Sequence, residues 1–226
     1  MYCHREPRFY LTVVWNGQWF KWENRNTNFL YGGPDGGPTH DAPQNGYLNR
    51  SRVSLDYIPR DNNHPYRPAI IFRMAEAYLS YAEALNECSE RMSYEQEILN
   101  NLNKIRHRAG IAEYGTGTDE NGFTRIKINF ADQKEVRRLI HKERRVECVG
   151  EGIRYHDLRR WKTAHYGIGN MNEQGENPDW GVNGPDHGMN YYGTEYTDQG
   201  DNAFFKRTKY MDRVYPRKFY WYPIHQ

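Results

Sequence analysis

The sequence predicts a mainly α fold with a tetratricopeptide-like helical hairpin, long irregular loops and short extended segments. Three observations carry that expectation. Residues 69–88, "AIIFRMAEAYLSYAEALNEC", repeat apolar side chains at helical spacing. A second run of the same kind, "SYEQEILNNLNKIRHRAG", follows after a short turn and ends on a glycine. Elsewhere Gly, Pro, Asn and Asp recur too often to allow a long regular period.

Residues 8–31, "RFYLTVVWNGQWFKWENRNTNFLY", mix β-branched and aromatic residues around Asn-Gly. They read as a hairpin or extended arm that turns at Asn16-Gly17. In such an arm Trp15 and Trp19 point to one side and Trp22 to the other, so at least one belongs to the core. "GGPDGGP" (residues 32–38) is loop, and no Gly-Lys-Ser/Thr follows it as a phosphate loop requires. The segment to Pro68 stays irregular.

In the first helix Ala75, Tyr78, Leu79, Ala82 and Leu85 share one face. Its small residues admit close approach of the second helix, whose stripe is Ile98, Leu102 and Ile105, and Gly110 stops that second helix. The result is an antiparallel pair with tetratricopeptide-like spacing of alanines and aromatics. After a polar loop (residues 113–130), Asp132 is the N-cap of a third helix. On it Val136, Leu139, Ile140, Glu143, Val146 and Glu147 fall on adjoining rows, and Gly150 and Gly152 end it. A shorter fourth helix carries Tyr155, Leu158 and Trp161. Residues 165–203 read as a long polar loop, and the terminal "FYWYPIHQ" as extended.

Bulk composition narrows the function. The chain has 226 residues, enough for one sizeable domain or a compact pair. Its formal net charge is +2, with acids and bases interleaved, which argues against nucleic acid as partner. Mean hydropathy is −1.04, yet 15% of residues are aromatic, including 19 Tyr and 6 Trp. Disordered chains are poor in aromatics. Rings with a polar tip suit ligands that carry both apolar faces and hydroxyls. Cys3, Cys88 and Cys148 form neither a disulfide framework nor a metal pair, and the latter two read as small core residues. No apolar run is long enough to span a membrane, and "MYCHREPRFY" lacks the apolar segment of a signal peptide. No cofactor motif and no histidine metal pattern appear. Asp35, Asp41 and Asp61 lie in loops, but without the order of a calcium-binding loop.

The stretch "HKERRVECVGEGIRYHDLRRWKTA" (residues 141–164) poses the sharpest choice. Glu143 and Glu147 sit one helical turn apart, about 5–6 Å between Cβ atoms, near the carboxyl separation of a retaining glycosidase. Arginines crowd them, however, and lower the pKa that a general acid needs raised. A phosphate site on Arg144, Arg145, Arg159 and Arg160 is weakened by the intervening acids. The economical reading is an ion-pair lattice locking the third and fourth helices, with Arg73, Arg154, Arg159 and Arg160 as partners. No catalytic residue is assigned, and the chain is not expected to be an enzyme.

"IIFRMAEAYLSYAEALNE", "LNKIRHRAGI" and "IHKERRVECVGEGIRYHDLRRWKTA", in that order and spacing, resemble the C-terminal half of SusD/RagB-like proteins. "REPRFYLTVVWNGQW" and "FYWYPIHQ" are similar to segments of that family too. The resemblance covers nearly the whole chain, so residues 1–226 are expected to be the C-terminal portion of such a domain. It implies a surface-exposed outer-membrane lipoprotein that captures glycans and passes them to a SusC-like TonB-dependent transporter, without hydrolysis. The N-terminal half, with its signal peptide and lipid-anchored cysteine, is expected to lie outside this chain. The alternative is a helical-repeat protein-interaction module with no sugar site of its own.

Sugar rings stack a C–H face on Trp or Tyr while their hydroxyls need polar partners. Two aromatic-rich, polar stretches fit: residues 15–31, and "PDWGVNGPDHGMNYYGTEY" (residues 178–196). From them Trp19, Trp22, Tyr31, Trp180 and Tyr191 are the ligand-binding candidates.

Overall fold

The chain is described by a computed structural model over residues 2–51, 53, 62, 65–66, 70–167 and 181–221. The first element departs from the expected arm. Pro7, whose missing N–H costs nothing in a first turn, opens a helix, α1 (Pro7–Thr12). Aromatic and β-branched alternation therefore misled at its start. Phe9 and Tyr10 turn back on Trp15, with ring centroids 5.4 and 5.3 Å away. Strand β1 (Val13–Trp15) follows. The predicted Asn16-Gly17 turn forms, closed by the Gln18 N–H on the Trp15 carbonyl at 3.2 Å. Beyond it, β2 (Trp19–Phe20) pairs with β3 (Arg25–Asn26) in a separate small ribbon. β1 pairs instead with the more distant β4 (Tyr47–Asn49), Val14 opposite Leu48.

The helical hairpin is as expected. α2 (Met74–Glu87) begins five residues later than the pattern suggested, because Arg73 is extended and its side chain is drawn elsewhere. α3 (Glu95–Arg108) returns antiparallel to it. Lys104 lies over the Tyr78 ring at 4.5 Å, and the Tyr81 hydroxyl donates to Glu97 at 2.8 Å. Gly110 ends α3 at φ +67°, a left-handed conformation that only glycine adopts cheaply. There Gly110 N–H bonds the His107 carbonyl, and Ile111 N–H that of Arg106. Asp132 caps α4 (Gln133–Glu147), its carboxylate accepting from the N–H groups of Lys134 and Glu135. α5 (Ile153–Arg160) completes the helices.

Two further corrections concern the C-terminal third. The stretch read as loop contains a strand, β5 (Gly184–Gly188), paired antiparallel with β6 (Thr208–Arg213). "GPDHG" contains no β-former, so no pattern announces it. Its approach is fixed by Asn183, whose amide donates to the His165 and Tyr215 carbonyls. Of the expected terminal extension, Phe219 and Tyr220 instead close a helical turn over Arg217–Tyr220, while Trp221 is extended. Residues 222–226 lie outside the described residues.

The main core lies between α2, α3 and α4. Leu79, Ile98, Leu102, Val136 and Ile140 are fully buried there, each contributing about 1.5–3 kcal/mol of apolar burial. Cys148 joins this core as expected, while Cys88 is only half-buried. A smaller cluster of Phe29, Met189 and Phe204 joins the N-terminal loops to the connection between β5 and β6.

The ion-pair lattice exists, with largely different partners. Arg8 of α1 reaches Glu143 at 2.6 Å and Glu147 at 3.1 Å. Arg106 of α3 donates to Glu143 at 2.8 Å. Glu147 also accepts from Arg73, at 2.5 Å, and from Arg108. Of the expected cations Arg73 serves Glu147. Arg160 binds Glu83 and Asp157, and Arg159 donates to Tyr155 and the Tyr220 carbonyl. The lattice therefore binds α1, α3 and the start of α2 to α4. Arg144, buried on α4, makes the link to α5 through Asp157 at 2.6 Å. Burial opposes ionisation of Glu147, but hydrogen bonds from Arg73 and Arg108 hold its carboxyl below the usual range. Burial likewise opposes ionisation of Glu83, and bonds from His141, Arg160 and Trp161 hold that carboxyl well down.

Glu147→Gln removes a buried carboxylate shared by Arg8, Arg73 and Arg108, of which Arg8 keeps Glu143 and Arg73 keeps Glu151, and is expected to cost roughly 1–3 kcal/mol, read from urea denaturation. The acid response has a definite sign. Both carboxyls have native pKa values below the unfolded value of about 4.3, so their contribution is complete above it. It is lost as pH falls through the depressed native values. Melting temperature is thus expected to hold from pH 7 to about 5 and to fall steeply below about 4, followed by circular dichroism.

Candidate functional site

The carboxylates that could have served catalysis are the ones the lattice consumes. Glu143 and Glu147 are buried and face arginines rather than a cleft. With Glu147 held ionised by its arginines, it offers no proton to a leaving group. Among the described residues no group of three or more His, Cys, Asp or Glu is placed to hold a metal ion. Asp35 is committed elsewhere. It takes both terminal nitrogens of Arg25 at 2.6 and 2.8 Å, and the Asn28 N–H at 2.8 Å. The Arg25 hydrogen bonds hold its carboxyl below the usual range, against the effect of burial. Asp61 lies outside the described residues.

Aromatic rings converge at another place. Tyr31 and Tyr191 meet at 6.1 Å in an edge-on contact, and Tyr192 lies 5.5 Å from Tyr31 and 5.1 Å from Tyr191. Tyr31 is 37% and Tyr192 69% exposed, so the trio presents ring surface to solvent. Backbone bonding fixes the approach, since the Tyr31 N–H donates to the Gly193 carbonyl at 2.8 Å. Below, the Phe29, Met189 and Phe204 cluster anchors both segments. Gly37, in the glycine-rich loop, supports the Tyr191 ring from one side. A Cβ there would stand 2.5 Å from the ring's Cζ and 2.7 Å from its hydroxyl.

The same loop walls a cavity of about 360 Å³ through Pro34, Asp35 and Thr39, with Phe20, Phe29 and Leu48 opposite. A larger cleft, about 820 Å³, runs between α3 and the 113–130 loop. Several of its polar groups are engaged with one another: His107 and Arg125 both bind Glu113, and Asn103 brackets the Tyr114 backbone. Its aromatic members, Tyr114 and Phe130, are buried and offer no stacking face. The tyrosine trio is therefore the stronger candidate.

Of the five predicted residues, the structure brings Tyr31 and Tyr191 together. Trp19 is 58% exposed on β2, and among the described residues no ring contact joins it to the trio. Trp15, expected on the same side as Trp19, is half-buried against Tyr2, Phe9 and Tyr10, because the turn between them breaks the alternation. The side chain of Trp22, and all of Trp180, lie outside the described residues. Tyr192 and Gly37 were not among the five. The doubled tyrosine in "NYYG" and the "GGPDGGP" loop were the available signals. Gly37→Ala is expected to push Tyr191 aside, costing about 1–3 kcal/mol and altering the near-ultraviolet tyrosine circular dichroism.

Comparison with known proteins agrees with this architecture. A family model described as the SusD family matches residues 1–226. SusD-like protein P25 of Formosa agariphila is 35% identical over 109 residues, 48% of this chain and 18% of that protein. SusD-like protein P38 of the same organism is 32% identical over 103 residues, 46% of this chain and 19% of that protein. The matches thus span about a fifth of the length of these curated relatives. The solved structure of BT4246 superposes with a TM-score of 0.64 at 24% identity, over 96% of this chain and 33% of that one. At that identity the likeness shows the fold.

Proposed function

This chain belongs to the SusD family, and on that premise we propose that it captures glycans without cleaving them. In this reading it belongs to a nutrient-uptake system of the bacterial outer-membrane surface. It hands oligosaccharide to a SusC-like TonB-dependent transporter and is tethered through a lipid anchor carried outside this chain. The observation that carries the reading is the cluster of Tyr31, Tyr191 and Tyr192, two of whose rings are exposed. Such a site offers stacking faces and hydrogen-bonding tips together, as a sugar ring needs. Trp19, exposed on β2, extends the candidate surface, and Trp22 and Trp180 remain proposed ligand contacts. In keeping with capture rather than cleavage, the candidate pair Glu143 and Glu147 is bound by arginines.

A second reading, the protein-interaction module, draws on an exposed apolar row at the start of α2. Ile70, Ile71, Phe72 and Met74 are 70%, 97%, 60% and 59% exposed. Patches of that kind commonly mark protein contacts.

Calorimetry against a panel of host and plant oligosaccharides, with a reducing-end assay on the same mixtures, tests the proposal. Binding without new reducing ends is expected. Tyr192→Ala or Tyr31→Ala is expected to weaken it by about fivefold or more, the consequence of losing roughly 1 kcal/mol or more per stacking anchor. Ile71→Asp is expected to leave sugar affinity unchanged. New reducing ends would revive the enzyme reading, and no binding to any glycan would favour the interaction module.

A further inference from the structure

A second group of rings lies at the other end of the β5–β6 ribbon from the tyrosine trio. Tyr191 and Tyr192 follow the Gly188 end of β5, whereas Tyr215 follows the Arg213 end of β6, which pairs with Gly184. β5 spans five residues, so its two ends stand about 13 Å apart at roughly 3.3 Å per residue. Among the described residues no ring contact joins the two groups. Tyr215 is the buried centre of the second group, 4% exposed and packed with Leu158 and Ala164. Tyr155 of α5 meets its ring edge-on at 6.3 Å, and Phe219 of the turn over Arg217–Tyr220 meets it at 5.6 Å. Those outer rings are 48% and 46% exposed, between the values of Tyr31 and Tyr192.

Hydrogen bonds fix the outer rings in place. The Arg159 guanidinium donates to the Tyr155 hydroxyl at 2.9 Å and to the Tyr220 carbonyl at 3.1 Å, tying α5 to the turn that carries Phe219. The Tyr215 hydroxyl donates to the Phe219 carbonyl at 3.2 Å, and the Tyr220 hydroxyl accepts the His165 N–H at 3.1 Å. A ligand that stacks on rings already held forfeits little side-chain freedom. The polar groups at hand suit a hydroxylated ligand. Tyr155, having accepted from Arg159, keeps its own phenolic proton to donate. Exposed His156 lies beside it, with ring centroids 5.7 Å apart. A sugar needs apolar C–H contact and hydroxyl partners together. The row at Ile70, Ile71 and Phe72 offers the first without the second.

Resting on the glycan-capture reading, we propose that Tyr155 and Phe219, backed by Tyr215, form a second sugar-stacking platform, so that each chain holds two short oligosaccharides at once. Calorimetry with tetrasaccharides of glucose, xylose, galactose and mannose, at protein concentrations above Kd, reads the number bound per chain. Two per chain are expected for a tetrasaccharide that binds. Tyr155→Ala combined with Phe219→Ala removes two stacking anchors and is expected to weaken that platform about 20-fold or more, so the count falls to one. Adding Tyr192→Ala is expected to weaken the remaining site about fivefold or more. A melting curve checks that the variants are folded, and Phe219→Ser alone repeats the test with Tyr155 kept. One per chain, untouched by the Tyr155→Ala, Phe219→Ala pair and weakened by Tyr192→Ala, would overturn the second platform and leave glycan capture standing. Two per chain that the pair does not reduce would overturn the assignment to these rings. Binding of no tetrasaccharide and of no member of the wider panel would defeat the capture reading itself.

Discussion

Two carboxylates one turn apart on α4 set the arrangement of the rest of the chain. Placing Glu143 and Glu147 among apolar side chains removes their water, at a cost of several kcal/mol per ion unless cations follow them in. Four arginines do, from α1, from the residue before α2, and from α3. Each is a planar fork that can serve more than one acceptor. Arg8 bridges both glutamates, and Arg106 also donates to the Ala112 carbonyl while lying over the Tyr114 ring. A lysine could not hold such geometry. Because guanidinium groups stay charged, this assembly is sensitive to acid and almost indifferent to base.

That commitment separates structure from chemistry within the chain. The buried glutamates of the helical half are spent on its arginines, and Glu113 in the larger cleft beside α3 is spent in the same way. What remains available to a ligand are exposed rings, those of the trio held by the small apolar cluster of Phe29, Met189 and Phe204. Loops positioned by a helical body are a common place for recognition.

The helices were legible because their signals are local. Periodicity found the faces of α2, α3 and α4, Asp132 announced a cap, and Gly110 announced a stop. The lattice was legible in kind but not in detail. A buried glutamate declares that it needs a cation, yet nothing in the sequence says that Arg8, 135 residues away, supplies it. The first helix was missed because aromatic and β-branched residues outweighed Pro7, and β5 because "GPDHG" has no strand character of its own. At the candidate site, Tyr31 and Tyr191 were found singly from composition. Their meeting depends on a backbone bond between distant segments, and no local pattern encodes that.

That distance has a further consequence. Tyr31 and Tyr191 belong to segments that are neighbours only when the chain is folded, and the unfolded chain has no equivalent surface. A molecule resting on both rings therefore fastens one end of the polypeptide to the other, as a removable cross-link. Its free energy of association is added to that of folding, as RT ln(1 + [L]/Kd). A fold cross-linked this way resists unfolding and proteolysis more when the rings are occupied than when they are empty.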